Sequence, residues 1–118
     1  MDILFLLKPN FTDNYRDNNN KKYYCSECAF LEGLLSYYPE LKEQIDIIYV
    51  SFKKPRNEII EIVGEERQGC PSLIVDSDNL KYVIANQFHK FGNRLYTNNT
   101  KLIASFLRDK YGISEARF

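Results

Sequence analysis

The cysteines are where this sequence carries chemistry. Cys25-Ser26-Glu27-Cys28 sets two thiols with two residues between them at the start of a helical pattern. There they can close a disulfide across the first turn, while the exposed helix amides stabilise one thiolate. Cys25, at the helix start, is the expected nucleophile toward a partner disulfide or sulfenic acid, and Cys28, one turn deeper, the expected resolving thiol. Two other readings of the pair stay open: small apolar residues kept for packing, and soft-metal ligands. A third cysteine stands in Gly69-Cys70-Pro71. It is read either as a small turn filler or as a further exchanging thiol. A closed zinc site normally needs four ligands, and the chain has no second close-spaced cysteine pair.

Around the motif, Glu27 reads as a solvated helix-start residue, and as a carboxylate close to the thiolate it would oppose. Tyr24, directly before Cys25, is a candidate substrate contact. With Tyr15, Tyr23, Phe88 and Phe91 it makes a candidate partner surface. His89, between Phe88 and Phe91, reads as a surface or packing residue in a loop.

The rest of the chain bounds the possibilities. Its 118 residues suit one domain spanning 1–118, and 44% apolar content is enough for a core without disulfide staples. Sixteen basic residues balance sixteen acidic ones, which argues against a nucleic-acid or anionic-membrane partner, since both need clustered Lys and Arg. Lys53-Lys54-Pro55-Arg56 is too short a cluster to reverse that. In the N-terminal stretch an acidic residue precedes a short apolar run with no small-residue cleavage site, so a cytoplasmic protein is expected. In that compartment cysteines serve redox or metal chemistry more often than structural cross-links.

The elements that must hold the thiols follow from periodicity. Ile3 to Leu7 is a continuous apolar run before Pro9, as in a strand buried on both faces. Asn10 to Lys22 is polar and aperiodic, a long surface loop that could cover the motif. Ser26 to Tyr38 is helical, with Cys28, Leu31, Leu34, Leu35 and Tyr38 on one face and Pro39 ending it. Ile45 to Phe52 is a second strand, parallel to the first because a helix joins them. Pro55 suits the first turn of a second helix bearing Ile59, Ile60 and Val63, with Gly64 at its end. Ser72 to Val75 reads as a third strand, Asp76 to Asn79 as a turn, and Leu80 to Ile84 as an antiparallel fourth. Asn98 or Asn99 could cap a last helix stopped by Gly112.

The order β-α-β-α-β-β-α implies an α/β fold with a mixed four-stranded sheet flanked by helices. It resembles the thioredoxin and glutaredoxin core over most of the chain. Cys25-Ser26-Glu27-Cys28 falls where those proteins carry their active-site motif, and Pro71 where they carry a cis-proline. The segment Tyr23-Tyr24-Cys25-Ser26-Glu27-Cys28-Ala29-Phe30-Leu31-Glu32-Gly33, with Tyr38-Pro39-Glu40-Leu41, resembles an uncharacterised bacterial thioredoxin-like family. The resemblance implies a thiol-disulfide oxidoreductase without a bound cofactor, acting on a protein or small-molecule disulfide. The alternatives are a non-catalytic binding module of the same fold and a cysteine metal site. It also implies that Cys70 faces Cys25 and that a cis Pro71 exposes the Cys70 backbone to an extended substrate. Thioredoxins have Trp before the first cysteine and Gly-Pro between the two, where this chain has Tyr24 and Ser26-Glu27. Lys8, at the end of the first strand, matches a lysine with which glutathione-dependent members meet the tripeptide's carboxylate. Ala85-Asn86-Gln87-Phe88 lacks their glycine pair, which argues against glutathione as cosubstrate.

Overall fold

In the computed structural model, which describes residues 1–76, 81–83 and 87–118, the run Ile3–Leu7 is strand β1, at the heart of the sheet. Leu4 and Leu6 are buried on one face and Phe5 on the other, so the unbroken apolar run follows from burial on both sides. Helix α1, Ser26–Tyr37, carries the chain to a short helix α2, Leu41–Gln44, and then to β2, Asp46–Val50. β2 pairs in parallel with β1, Ile3 opposite Asp46 through Leu7 opposite Val50. Tyr38 caps α1 with its N–H on the Leu34 carbonyl, one residue before Pro39 forbids further helix.

Helix α3 runs Asn57–Val63. Pro55 lies outside it, not in its first turn as the sequence suggests. The Lys54–Pro55 bond is cis, and Arg56 is the N-cap. Gly64 ends the helix at φ +85°, and a Cβ there would lie 2.9 Å from the Phe91 ring. The positive φ is what favours glycine there, and an added side chain would also have to displace the exposed Phe91 ring.

Strand β3, Ser72–Val75, runs antiparallel to β1. Its other neighbour differs from the expected one. β3 pairs with β5, Arg94–Thr97, and β5 with the edge strand β4, His89–Phe91, in a five-stranded sheet of order β2-β1-β3-β5-β4. The four-strand expectation is corrected to five, and the loop expected at His89 to a strand. Of the expected partner strand, Leu80 and Ile84 lie outside the described residues, as do Ser77 to Asn79 of the expected turn, while Lys81 and Tyr82 form a helical turn. Gly92, at φ +59°, allows the tight β4–β5 turn.

Helix α4, Thr100–Tyr111, starts at Asn99, whose side chain accepts the Leu102 N–H, and stops at left-handed Gly112. α1 and α4 cover one sheet face, where Leu31, Leu35, Ile103 and Phe106 pack on Leu4 and Leu73. α3 covers the other through Ile59 and Val63 on Phe5 and Ile74. Asp2, wholly buried, ties α4 to the start of β1 by accepting from Lys110 Nζ and Tyr111 OH, each at 2.6 Å. Among the described residues no helix is long and apolar enough to cross a membrane.

Candidate functional site

The C-terminal ends of β1 and β2 and the start of the antiparallel β3 lie at one end of the sheet, and Cys25, Cys28 and Cys70 all pack into the apolar cluster there. Cys25 is the N-cap of α1, in extended conformation (φ −75°, ψ 115°). Its Sγ accepts the Cys28 N–H at 3.1 Å, filling the place usually taken by a serine or aspartate oxygen. The sulfur thus sits on the exposed amides and positive end of the helix dipole. Cys28, one turn on, is buried at 4% exposure, and its Sγ accepts the Leu7 N–H at 3.4 Å. The last residue of β1 therefore holds the inner thiol. Burial, first, and the contact with Cys25 push the Cys28 thiol well above its ordinary value, against the Leu7 N–H, which favours the thiolate. All three cysteines are free thiols.

Cys70 is half-buried and packs, like Cys25 and Cys28, into the apolar cluster under α1. Its bond to the buried Pro71 is cis. Asn98 holds this turn from the β5–α4 connection, its Nδ2 donating to the Gly69 carbonyl at 3.0 Å and the Pro71 carbonyl at 2.9 Å. Burial pushes the Cys70 thiol up to about 11, with Arg56 opposing the shift. Arg56 is itself buried. Its Nε and Nη2 donate to the Phe52 carbonyl and its Nη1 to the Gln68 carbonyl.

The long loop after β1 is closed at its neck. Tyr23 and Phe11 exchange backbone hydrogen bonds of 2.8 and 3.1 Å, and the Phe11 ring stacks on Phe52 at 4.3 Å. The loop is therefore pinned to the β2–α3 connection and leaves a groove of about 390 Å³ beside the thiols, bordered by Asn10 and Pro9. Cys25 and Cys28 line that groove together with Tyr24, Ala29, Glu32 and Tyr49. Tyr24, 67% exposed, stands at the groove next to Cys25, where the sequence places it. Lys8 does not line the groove. It is exposed at the end of β1, its N–H on the Val50 carbonyl at 2.9 Å.

Sequence reasoning missed Glu32 and Tyr49. The Tyr49 hydroxyl donates to Glu32 Oε2 at 2.6 Å, and burial, followed by that bond, pushes the Tyr49 hydroxyl up to about 12. The signal for Glu32 was its helical spacing, which puts it on the face shared by Cys25 and Cys28. Glu27 has a partner across the fold, accepting from Thr100 Oγ1 at 2.8 Å, so it ties the starts of α1 and α4. His89 is exposed on β4, its ring 5.3 Å from Tyr96. Among the described residues no three His, Cys, Asp or Glu side chains are grouped to hold a metal ion.

A family model of proteins of unknown function, DUF3088, matches residues 1–115, nearly the whole chain. The chain belongs to DUF3088. No curated protein and no solved structure matches it. The match covers every element that builds the site in this DUF3088 chain, from β1 through α4.

Proposed function

We propose that this chain is a thiol-disulfide oxidoreductase of thioredoxin-like fold, working in a reducing, cytoplasmic compartment. One observation carries the reading: a half-buried Cys25 that lines the groove and caps α1 with its sulfur, with the buried Cys28 thiol one turn behind it. The parallel β1–α1–β2 unit that presents the motif adds support. Cys25, as thiolate, attacks one sulfur of a partner disulfide, and the other sulfur leaves as a thiolate that takes up a proton. Cys28 then loses its proton and attacks the Cys25 sulfur, releasing the second thiol. The partner disulfide gains two electrons, and the Cys25–Cys28 dithiol, oxidised to a disulfide, supplies them.

The sequence of attack sets the test. Cys28→Ser keeps the nucleophile without its resolving partner, so it accumulates a mixed disulfide on Cys25 with a chromogenic aryl disulfide, seen as a mass increment. Cys25→Ser forms no such adduct in the same time. Equal reactivity of the two variants would overturn the assignment of roles.

A further inference from the structure

The groove beside Cys25 has a chemical polarity. Cys25 lines it beside apolar Leu6, Leu7, Pro9 and Ala29, and Glu32 supplies the charged side chain of the lining. Helix geometry fixes the layout. Glu32 stands about two turns beyond Cys25 on the same face, so their backbone positions are separated by about 10 Å along α1. Tyr49, on β2, donates its hydroxyl to one Glu32 oxygen, which orients the carboxylate and leaves its other oxygen free of the tyrosine. Among the described residues lining the groove there is no lysine, arginine or histidine. The charged side chain an entering molecule meets is a single carboxylate among apolar walls.

We infer that the groove is a subsite for a low-molecular-weight disulfide carrying an ammonium group, with the ammonium on Glu32 and the disulfide at Cys25. This rests on the oxidoreductase reading and names its substrate class. A volume of about 390 Å³ is that of a small-molecule site. A carboxylate favours a cationic donor over a neutral or anionic one through a charge-assisted hydrogen bond. The exchange is balanced within the pair: one aminothiol disulfide and the Cys25–Cys28 dithiol give two aminothiols and the Cys25–Cys28 disulfide. Glu32 binds the substrate's ammonium and Tyr49 positions Glu32, and neither touches the sulfurs that exchange.

Two measurements separate the subsite from the redox step. Hexane-1,6-diamine has the chain length and end groups of cystamine with methylenes in place of sulfurs, so its binding, followed by amide shifts of α1 and β2 in the reduced protein, reports the ammonium subsite without exchange. Binding to wild type that weakens about fivefold in Glu32→Gln, the size of one partly exposed charge pair, and less in Tyr49→Phe, supports the proposal. No binding, or equal binding by Glu32→Gln, overturns it. The second measurement is the rate of reduction of cystamine relative to neutral 2-hydroxyethyl disulfide, each divided by its rate with dithiothreitol. That ratio exceeds one in wild type, falls about fivefold in Glu32→Gln and falls with added salt. A ratio unchanged by the substitution overturns the subsite. Diamine binding with no reduction of either disulfide would leave the ammonium site standing and overturn the redox reading, and with it the assignment of a disulfide to the groove.

Discussion

Replacing Cys25 separates two jobs that one sulfur performs. Its Sγ accepts the Cys28 N–H at 3.1 Å as the N-cap of α1, and it is also the proposed nucleophile. Serine keeps an acceptor at the same place, and hydroxyl oxygen is a stronger acceptor than a thiol sulfur. Alanine leaves the amide without a partner. Loss of a hydroxyl N-cap costs about 1 kcal/mol, within a range of roughly 0.5–2. Cys25→Ser is therefore expected to be about 1 kcal/mol more stable than Cys25→Ala, with wild type between them. For a domain of this size that corresponds to a gap of about 4 °C in Tm. Urea unfolding of the reduced proteins, followed by far-UV circular dichroism, checks it through a change in midpoint at constant slope. Both variants lack the proposed nucleophile, so the stability gap is read independently of catalysis. Equal midpoints for the serine and alanine variants would refute the capping role and, with it, the argument that the helix start holds this sulfur.

Three further outcomes follow from the surroundings of the thiols. Arg56→Met leaves the Phe52 and Gln68 carbonyls without their guanidinium donors, which should cost about 2–4 kcal/mol in urea unfolding at one unpaired buried group each, partly offset by the apolar replacement. Asn98→Ala removes the two bonds that hold the Gly69–Pro71 turn and should cost about 1–2 kcal/mol while slowing disulfide reduction, measured on the same preparation. The Cys70 thiol is raised from an ordinary 9.0 to about 11, so its contribution to stability is fully present below the unfolded value and is lost as pH rises toward the folded one. Urea midpoints taken between pH 8 and 10.5 should therefore fall less steeply in Cys70→Ala than in wild type, and parallel slopes would contradict the burial of that thiol.

Much of the architecture is legible because local rules agree with tertiary packing. The Ile3–Leu7 run, the α1 periodicity ended by Pro39, and the Asn99 and Gly112 caps each name an element and place its boundary to within a residue or two. The failures share a different cause. β4 exposes all three of its residues, so no alternation marks it, and the more apolar Leu80 to Ile84 segment attracts the strand assignment that belongs to Arg94–Thr97. Pro55 matches a helix-start rule, but Arg56, whose N–H is held by Gln68 Oε1 across the fold, becomes the N-cap and leaves the proline outside the helix. At the site, the dithiol and its asymmetry are readable from one segment. The Glu32–Tyr49 pair is not, since it forms only where β2 comes to lie beside α1. Lys8 shows the converse: its place at a strand end is right, but strand position alone does not bring a side chain into the groove.

The measurement that bears most directly on the central claim is the equilibrium of the Cys25–Cys28 pair against a glutathione redox series, quantified by alkylation of the free thiols and mass spectrometry. A working dithiol shows a two-electron transition to an intramolecular Cys25–Cys28 disulfide, at a potential within about −270 to −120 mV, the span of thioredoxin-like dithiols. Both Cys25→Ser and Cys28→Ser should abolish it. A series in which both thiols stay free throughout, or in which Cys25 is only glutathionylated and Cys28 never pairs with it, would contradict a dithiol function for this site.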